Sequence, residues 1–189
     1  MSLLSVFTEP RELKIHIDDL NGRADLRHRL TELFREVHHR PVLVLCIGTD
    51  RSTGDALGPL IGTQLSRQGI PQLHVLGTLD DPVHATNLAE NIHHIGSTLV
   101  NPYILAIDAC LGRLDSIGYI TLAEGPLKPG AGVHKQLPEV GNVHLTGIVN
   151  VGGFMEYMIL QNTRLNLVWR MSEVISEVIG QSFWRSRLY

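Results

Sequence analysis

The stretch VLVLCIGTDRSTGDALGP, residues 42–59, decides the fold. Its first six residues, Val42 to Ile47, are apolar without alternation, the pattern of a strand buried on both faces in the middle of a parallel sheet. A glycine-rich turn from Gly48 to Gly54 follows. The spacing then predicts a helix that starts near Asp55, ends by Gly69, and buries Leu57, Ile61 and Leu65. Downstream, Leu73 to Leu76 reads as a second strand, leading through Asp80-Asp81-Pro82 into the helical recurrence of Leu88, Ile92, Ile95 and Leu99. Tyr103 to Asp108 reads as a third buried strand ending on a carboxylate, and Ser116 to Ala123 as a fourth. Upstream, residues 1–22 read as an irregular edge segment in which Leu13, Ile15 and Ile17 alternate with Lys14 and His16. Asp25 opens a helical pattern carrying Leu26, Leu30, Leu33, Phe34 and Val37, which Pro41 ends. Gly125 to Asn142 is rich in Gly and Pro and reads as one long loop. Loops beyond roughly 12–15 residues are uncommon in compact domains and often functional. Two helical patterns finish the chain, the last holding Leu167, Val168, Met171, Val174, Ile175 and Val178. Strands alternating with helices predict a three-layer α/β/α sandwich on a mostly parallel sheet, spanning residues 1–189 as a single domain. In such a sheet the ligand site lies beyond the carboxyl ends of the strands.

Composition narrows the function classes. The 189 residues carry 16 Lys and Arg against 19 Asp and Glu, a formal charge of −3 that gives no drive toward nucleic acid or an anionic membrane. The 43% apolar content is that of a globular chain. Two cysteines, Cys46 and Cys110, exclude a disulfide scaffold and a cysteine-based zinc ribbon. The first residues lack a basic head followed by an apolar run, and no apolar stretch approaches the roughly 18 residues that span a bilayer, so a soluble cytoplasmic protein is expected.

The turn at Gly48–Gly54 invites a phosphate-binding reading, which its details refuse. A P-loop needs Lys and then Ser or Thr after the last glycine, whereas Gly54 is followed by Asp55 and Ala56. Gly48, Gly54 and Gly58 have the wrong spacing for a dinucleotide fingerprint. Asp55 is either a dipole-stabilising residue of a first helical turn or a functional carboxylate. Asp108, closing an apolar strand, falls where α/β sites form, unless it merely caps the turn before Ala109-Cys110-Leu111-Gly112. If the two strands are neighbours, both carboxylates reach one cleft. Such a pair has two uses: general base and acid on a water that attacks an amide, or, with an imidazole, ligation of a divalent metal. His134, in the loop Pro129-Gly130-Ala131-Gly132-Val133-His134, is the best-placed imidazole, and His84 near Asp80 the second. His38, His39, His93 and His94 sit late in helical patterns, where the dipole favours them. Ser116 lacks the nucleophile elbow, Cys46 is buried in a strand, and a Cys110 thiolate would be disfavoured beside Asp108. Trp169, Trp184 and Tyr189 would suit a contact in a homo-oligomer.

Gly48-Thr49-Asp50-Arg51-Ser52-Thr53-Gly54-Asp55-Ala56-Leu57-Gly58-Pro59 resembles the first catalytic segment of the spore germination protease. Ala106-Ile107-Asp108-Ala109 resembles its second, and Pro129-Gly130-Ala131-Gly132-Val133 its Pro-Gly-Ser-Gly-Val loop. With Pro82-Val83-His84-Ala85-Thr86-Asn87-Leu88 and Asn142-Val143-His144, the whole chain is more similar still to the short YyaC-type sporulation family. The resemblance implies the α/β/α fold of hydrogenase maturation endopeptidases, with Asp55 and Asp108 as the two acids and His134 where those enzymes place a metal-binding histidine. The germination protease lacks that histidine, so the resemblance is compatible with no cofactor or with a divalent metal bound by Asp55, Asp108 and His134. It implies a sporulation-associated peptidase or amide hydrolase in the forespore or spore interior. Asp55, Asp108 and His134 would be its catalytic residues, and Gly48, Thr49, Gly54 and Gly132 would hold a peptide or protein substrate such as a small acid-soluble spore protein. Two other readings fit the same residues: a non-catalytic binding or assembly protein on this fold, and a metal-dependent processing endopeptidase.

Overall fold

The computed structural model describes residues 12–129 and 137–188. In chain order the elements are β1 (Leu13–His16), α1 (Leu20–Glu36), β2 (Val42–Cys46), α2 (Leu57–Gln68), β3 (Leu73–Leu76), α3 (Leu88–Thr98), β4 (Tyr103–Gly112), a 3-10 turn (Leu114–Ser116), β5 (Tyr119–Glu124), β6 (Val143–Val151), α4 (Glu156–Gln161) and α5 (Leu165–Ser186). The six strands form one sheet in the order β1-β5-β6-β4-β2-β3. The pairs β6–β4, β4–β2 and β2–β3 are parallel; β5 runs antiparallel to both β6 and β1. The fold is therefore the mostly parallel α/β arrangement expected, with β2 flanked on both sides and buried along its whole length.

The two faces of the sheet are covered differently. Inward residues of β2 (Val42, Val44, Cys46), β4 (Leu105, Ile107) and β6 (Val143, Leu145, Val149) pack with α1, α2 and α5 in the main core. Here Phe34 and Phe183 meet edge to face, with ring centroids 5.7 Å apart. On the opposite face Leu43, Leu45 and Ala106 pack under α3 residues Leu88 and Ile95, together with Leu127 and Val140. Each buried Leu, Ile or Phe contributes about 1.5–3 kcal/mol of transfer free energy.

Three expectations are corrected. Val143–Val151 is a strand that the sequence reading did not identify, and it is central. Asp108 does not end its strand: β4 continues to Gly112, because β6 pairs with it from Leu105↔Val143 through Gly112↔Val151. The first helix begins at Leu20, five residues before Asp25, with the Asp19 side chain accepting the Asn21 N–H at 3.0 Å as its N-cap. Within the long loop, Leu127 and Val140 exchange backbone hydrogen bonds of 2.8 and 3.1 Å.

Candidate functional site

At the carboxyl end of β2 the chain turns back on itself. The Ile47 N–H donates to Ile107 O on β4 (2.7 Å), and the Gly48 N–H to Val83 O (2.8 Å). The Thr49 N–H then donates to Asp55 O (3.1 Å), closing the loop so that Asp55 returns to the strand end. Only glycine fits at 48: its φ is +148°, and a Cβ would lie 2.0 Å from Asp55 O. The Gly54 N–H donates to Leu160 O on α4 (2.9 Å). The N–H groups of Gly48, Thr49 and Gly54 are thus all engaged within the protein. What these residues demonstrably do is hold the Asp55 loop.

Asp55 precedes α2, which starts two residues later than the sequence spacing suggests. Its half-buried carboxyl titrates above the ordinary aspartate range because burial penalises the charged form, and the nearby Ser52 hydroxyl partly offsets this. That hydroxyl falls short of hydrogen-bond geometry and, though buried, has no hydrogen-bond partner among the described residues.

Asp108 lies on the neighbouring strand, one residue beyond the last β2–β4 pair, Cys46↔Ile107. Its Oδ1 accepts the Ala109 N–H at 2.9 Å. By strand alternation it shares a face with Ala106, the face that α3 covers. Asp55 thus lies in the loop that follows β2, and Asp108 lies within β4, one residue past the end of its pairing with β2. Across the strand pairing Asp108 faces Thr146 of β6, a residue invisible to a reading that did not identify β6.

Cys110, two residues on, shares this face. Burial pushes its thiol upward, a Thr146 hydrogen bond opposes that, Asp108 adds to the rise, and Lys14 counters it. Cys46 is wholly buried and its thiol is pushed far above the usual range, so neither cysteine is an activated nucleophile. His84 also reaches this edge, because Val83 bridges Ile47; its Nδ1 lies 2.9 Å from Thr86 Oγ1. Among the described residues no three His, Cys, Asp or Glu side chains gather closely enough to hold a metal ion. His134 and Gly132 lie outside the described residues.

The carboxyl end of β6 adds a feature that the motifs did not signal. Gly152-Gly153 leads into Phe154, Met155, Tyr157 and Met158, all exposed, on and before α4. Asn150 anchors this short helix through hydrogen bonds from Nδ2 to Ile159 O (3.3 Å) and Thr163 Oγ1 (3.2 Å). No helix among the described residues is long and apolar enough to cross a membrane.

A model of the family described as proteins of unknown function, DUF1256, matches residues 14–178. The chain is 49% identical over 185 residues to an uncharacterized protein of Bacillus subtilis (strain 168), YyaC, covering 95% of this chain and 90% of that one. Among solved structures it is similar to a NiFe hydrogenase maturation protease, HycI, of Thermococcus kodakarensis KOD1, at a TM-score of 0.48 and 14% identity over 80% of this chain and 98% of that one.

Proposed function

The chain belongs to the DUF1256 family, and we propose that it is a hydrolase of peptide or amide bonds in which Asp55 and Asp108 work as a pair. The observation that supports this reading is that two half-buried aspartates belong to neighbouring segments of the sheet, Asp55 in the loop after β2 and Asp108 on β4 just past its pairing with β2, with burial raising the Asp55 carboxyl above the ordinary aspartate range. Environments that separate two carboxyl groups assign their roles. Asp108 takes a proton from water as the water oxygen attacks the carbonyl carbon. Asp55, protonated, gives its proton to the amine nitrogen as the C–N bond breaks. The products are an acid and an amine, and the proton on Asp108 returns to Asp55 through solvent.

His134 is the proposed third member, as electrostatic partner or as a ligand completing a divalent-metal site with the two aspartates. Resemblance to the spore germination protease makes small acid-soluble spore proteins the first substrates to try, in a sporulating cell.

The test is incubation of the purified chain with such a protein, with and without chelator, read by intact mass. Defined cleavage is expected, falling by about 10²–10⁴-fold in Asp108→Asn and Asp55→Asn, the usual contribution of a positioned acid or base. Full activity in either folded variant would sink the pair. Loss of cleavage in chelator, restored by added divalent ion, would assign the metal-dependent version.

A further inference from the structure

Large apolar side chains scattered singly over a surface are ordinary; a cluster rimmed by polar residues marks an interaction site. Among the described residues the exposed ones are not scattered. All but Val100, Trp184 and Leu188 lie at the carboxyl end of the sheet or in the first turns of the helices beginning there. Five belong to one segment: Val151, Phe154, Met155, Tyr157 and Met158, with Phe154 91% and Tyr157 63% exposed. Glu156 is the only charged residue from 151 to 163, so the surface offers a partner apolar area and little charge.

The segment is also built to stay in place. Asn150 ties it to β6, and the Gly54 N–H bond to Leu160 O ties it to the loop one residue from Asp55. Met155 enters α4 at φ +62°, a left-handed conformation that a non-glycine residue rarely adopts. An apolar shelf fixed to the loop that carries a catalytic carboxylate is where the side chains flanking a scissile bond would rest.

We propose that the segment Val151–Met158 is the substrate-docking shelf, and that its occupant is an extended polypeptide segment with large apolar side chains on the polypeptide to be cut. This rests on the hydrolase reading and deepens it by naming the substrate class. Met and aromatic side chains suit such a role, since they adapt to varied apolar partners and bury large area.

The experiment uses two fluorescein-labelled twenty-residue peptides, one with Leu and Phe at every third position and one with Ser in their place. Each is titrated by anisotropy against the wild-type chain, Asp55→Asn, and the triple variant Phe154→Ser/Tyr157→Ser/Met158→Ser. The apolar peptide should bind the first two alike, bind the triple variant at least about tenfold more weakly, and outcompete the serine peptide, since a few central aromatic anchors dominate such contacts. Thermal melts should coincide, because the three side chains are exposed. Unchanged binding in the triple variant, or equal binding of the two peptides, overturns the proposal. So does light scattering that shows a dimer dissociating in the triple variant while peptide binding persists, which would give the shelf to a second copy of the chain. Binding kept with no cleavage by any form, read by intact mass, would instead overturn the hydrolase reading and leave the segment a peptide-docking surface without a cutting role.

Discussion

The two faces of the sheet divide the molecule's tasks. One lies under α1, α2 and α5 and is packed with fully buried Leu, Ile, Val and Phe side chains. The other is covered by α3 and the Leu127–Val140 bridge, and toward β6 it keeps Asp108, Cys110 and Thr146 only half buried. The first face supplies stability. The second leaves Asp108, Cys110 and Thr146 close to solvent yet partly desolvated, and burial there pushes the Cys110 thiol upward.

The comparison breaks most visibly at its core residues. Phe183→Ala removes one ring of the Phe34–Phe183 pair and should cost about 3–5 kcal/mol, while Ile95→Ala under α3 should cost about 2 kcal/mol, because a thinly covered site collapses more readily. Chemical denaturation of both variants decides it: equal or reversed costs would show that the faces are packed alike.

A smaller effect of opposite sign is expected at the candidate site. Burial raises the Asp55 carboxyl in the folded chain above its ordinary value of 3.8, so the native state holds that proton more tightly than the unfolded state. Its contribution is favourable below the ordinary value and is lost as pH rises through the shifted one. Asp55→Asn should therefore melt higher than wild type near pH 7, with the gap closing below about pH 4. A constant gap from pH 4 to pH 8 would mean that burial is not the cause.

Smallest of all, Thr146→Val removes the hydrogen bond that opposes the rise at Cys110. Stability should move by less than about 1 kcal/mol, whereas the rate of thiol alkylation should turn on at higher pH than in wild type. An unshifted alkylation profile would detach Cys110 from Thr146.

The same division explains what the sequence could disclose. β2 and the first part of β4 are buried on both faces, so their apolar runs announced them. β6 packs mainly on one face, alternating Val143, Leu145 and Val149 with half-buried His144 and Thr146, and buries only Ile148 on the other. Gly147 interrupts that alternation, and the nearby Gly/Pro-rich loop disguised it further. The glycine is there because Leu57 of α2 and Met171 of α5 lie where its side chain would be, at 2.5 and 2.8 Å from a Cβ. A residue that obscures the strand locally is the one that lets two helices rest on it, a tertiary reason absent from any window of sequence. The stretches that hold the two acids were legible because each adjoins a strongly apolar run, Val42 to Ile47 before the Asp55 loop and Tyr103 to Ile107 before Asp108. The shelf at Val151–Met158 was not, since Met, Phe and Tyr at helical spacing ordinarily mean core.

The insertion of β6 between β4 and β5 carries a consequence for how the chain is made. β5 leaves the ribosome before β6 but cannot reach the parallel strands except through it, and α5 closes over α1 and α2, which are made long before it. A nascent chain that stops short of Val143 presents the strand bearing Asp108 as a raw edge, open to pairing with another chain. Asp108 thus gains its final surroundings only once β6 has been synthesised and has paired with β4.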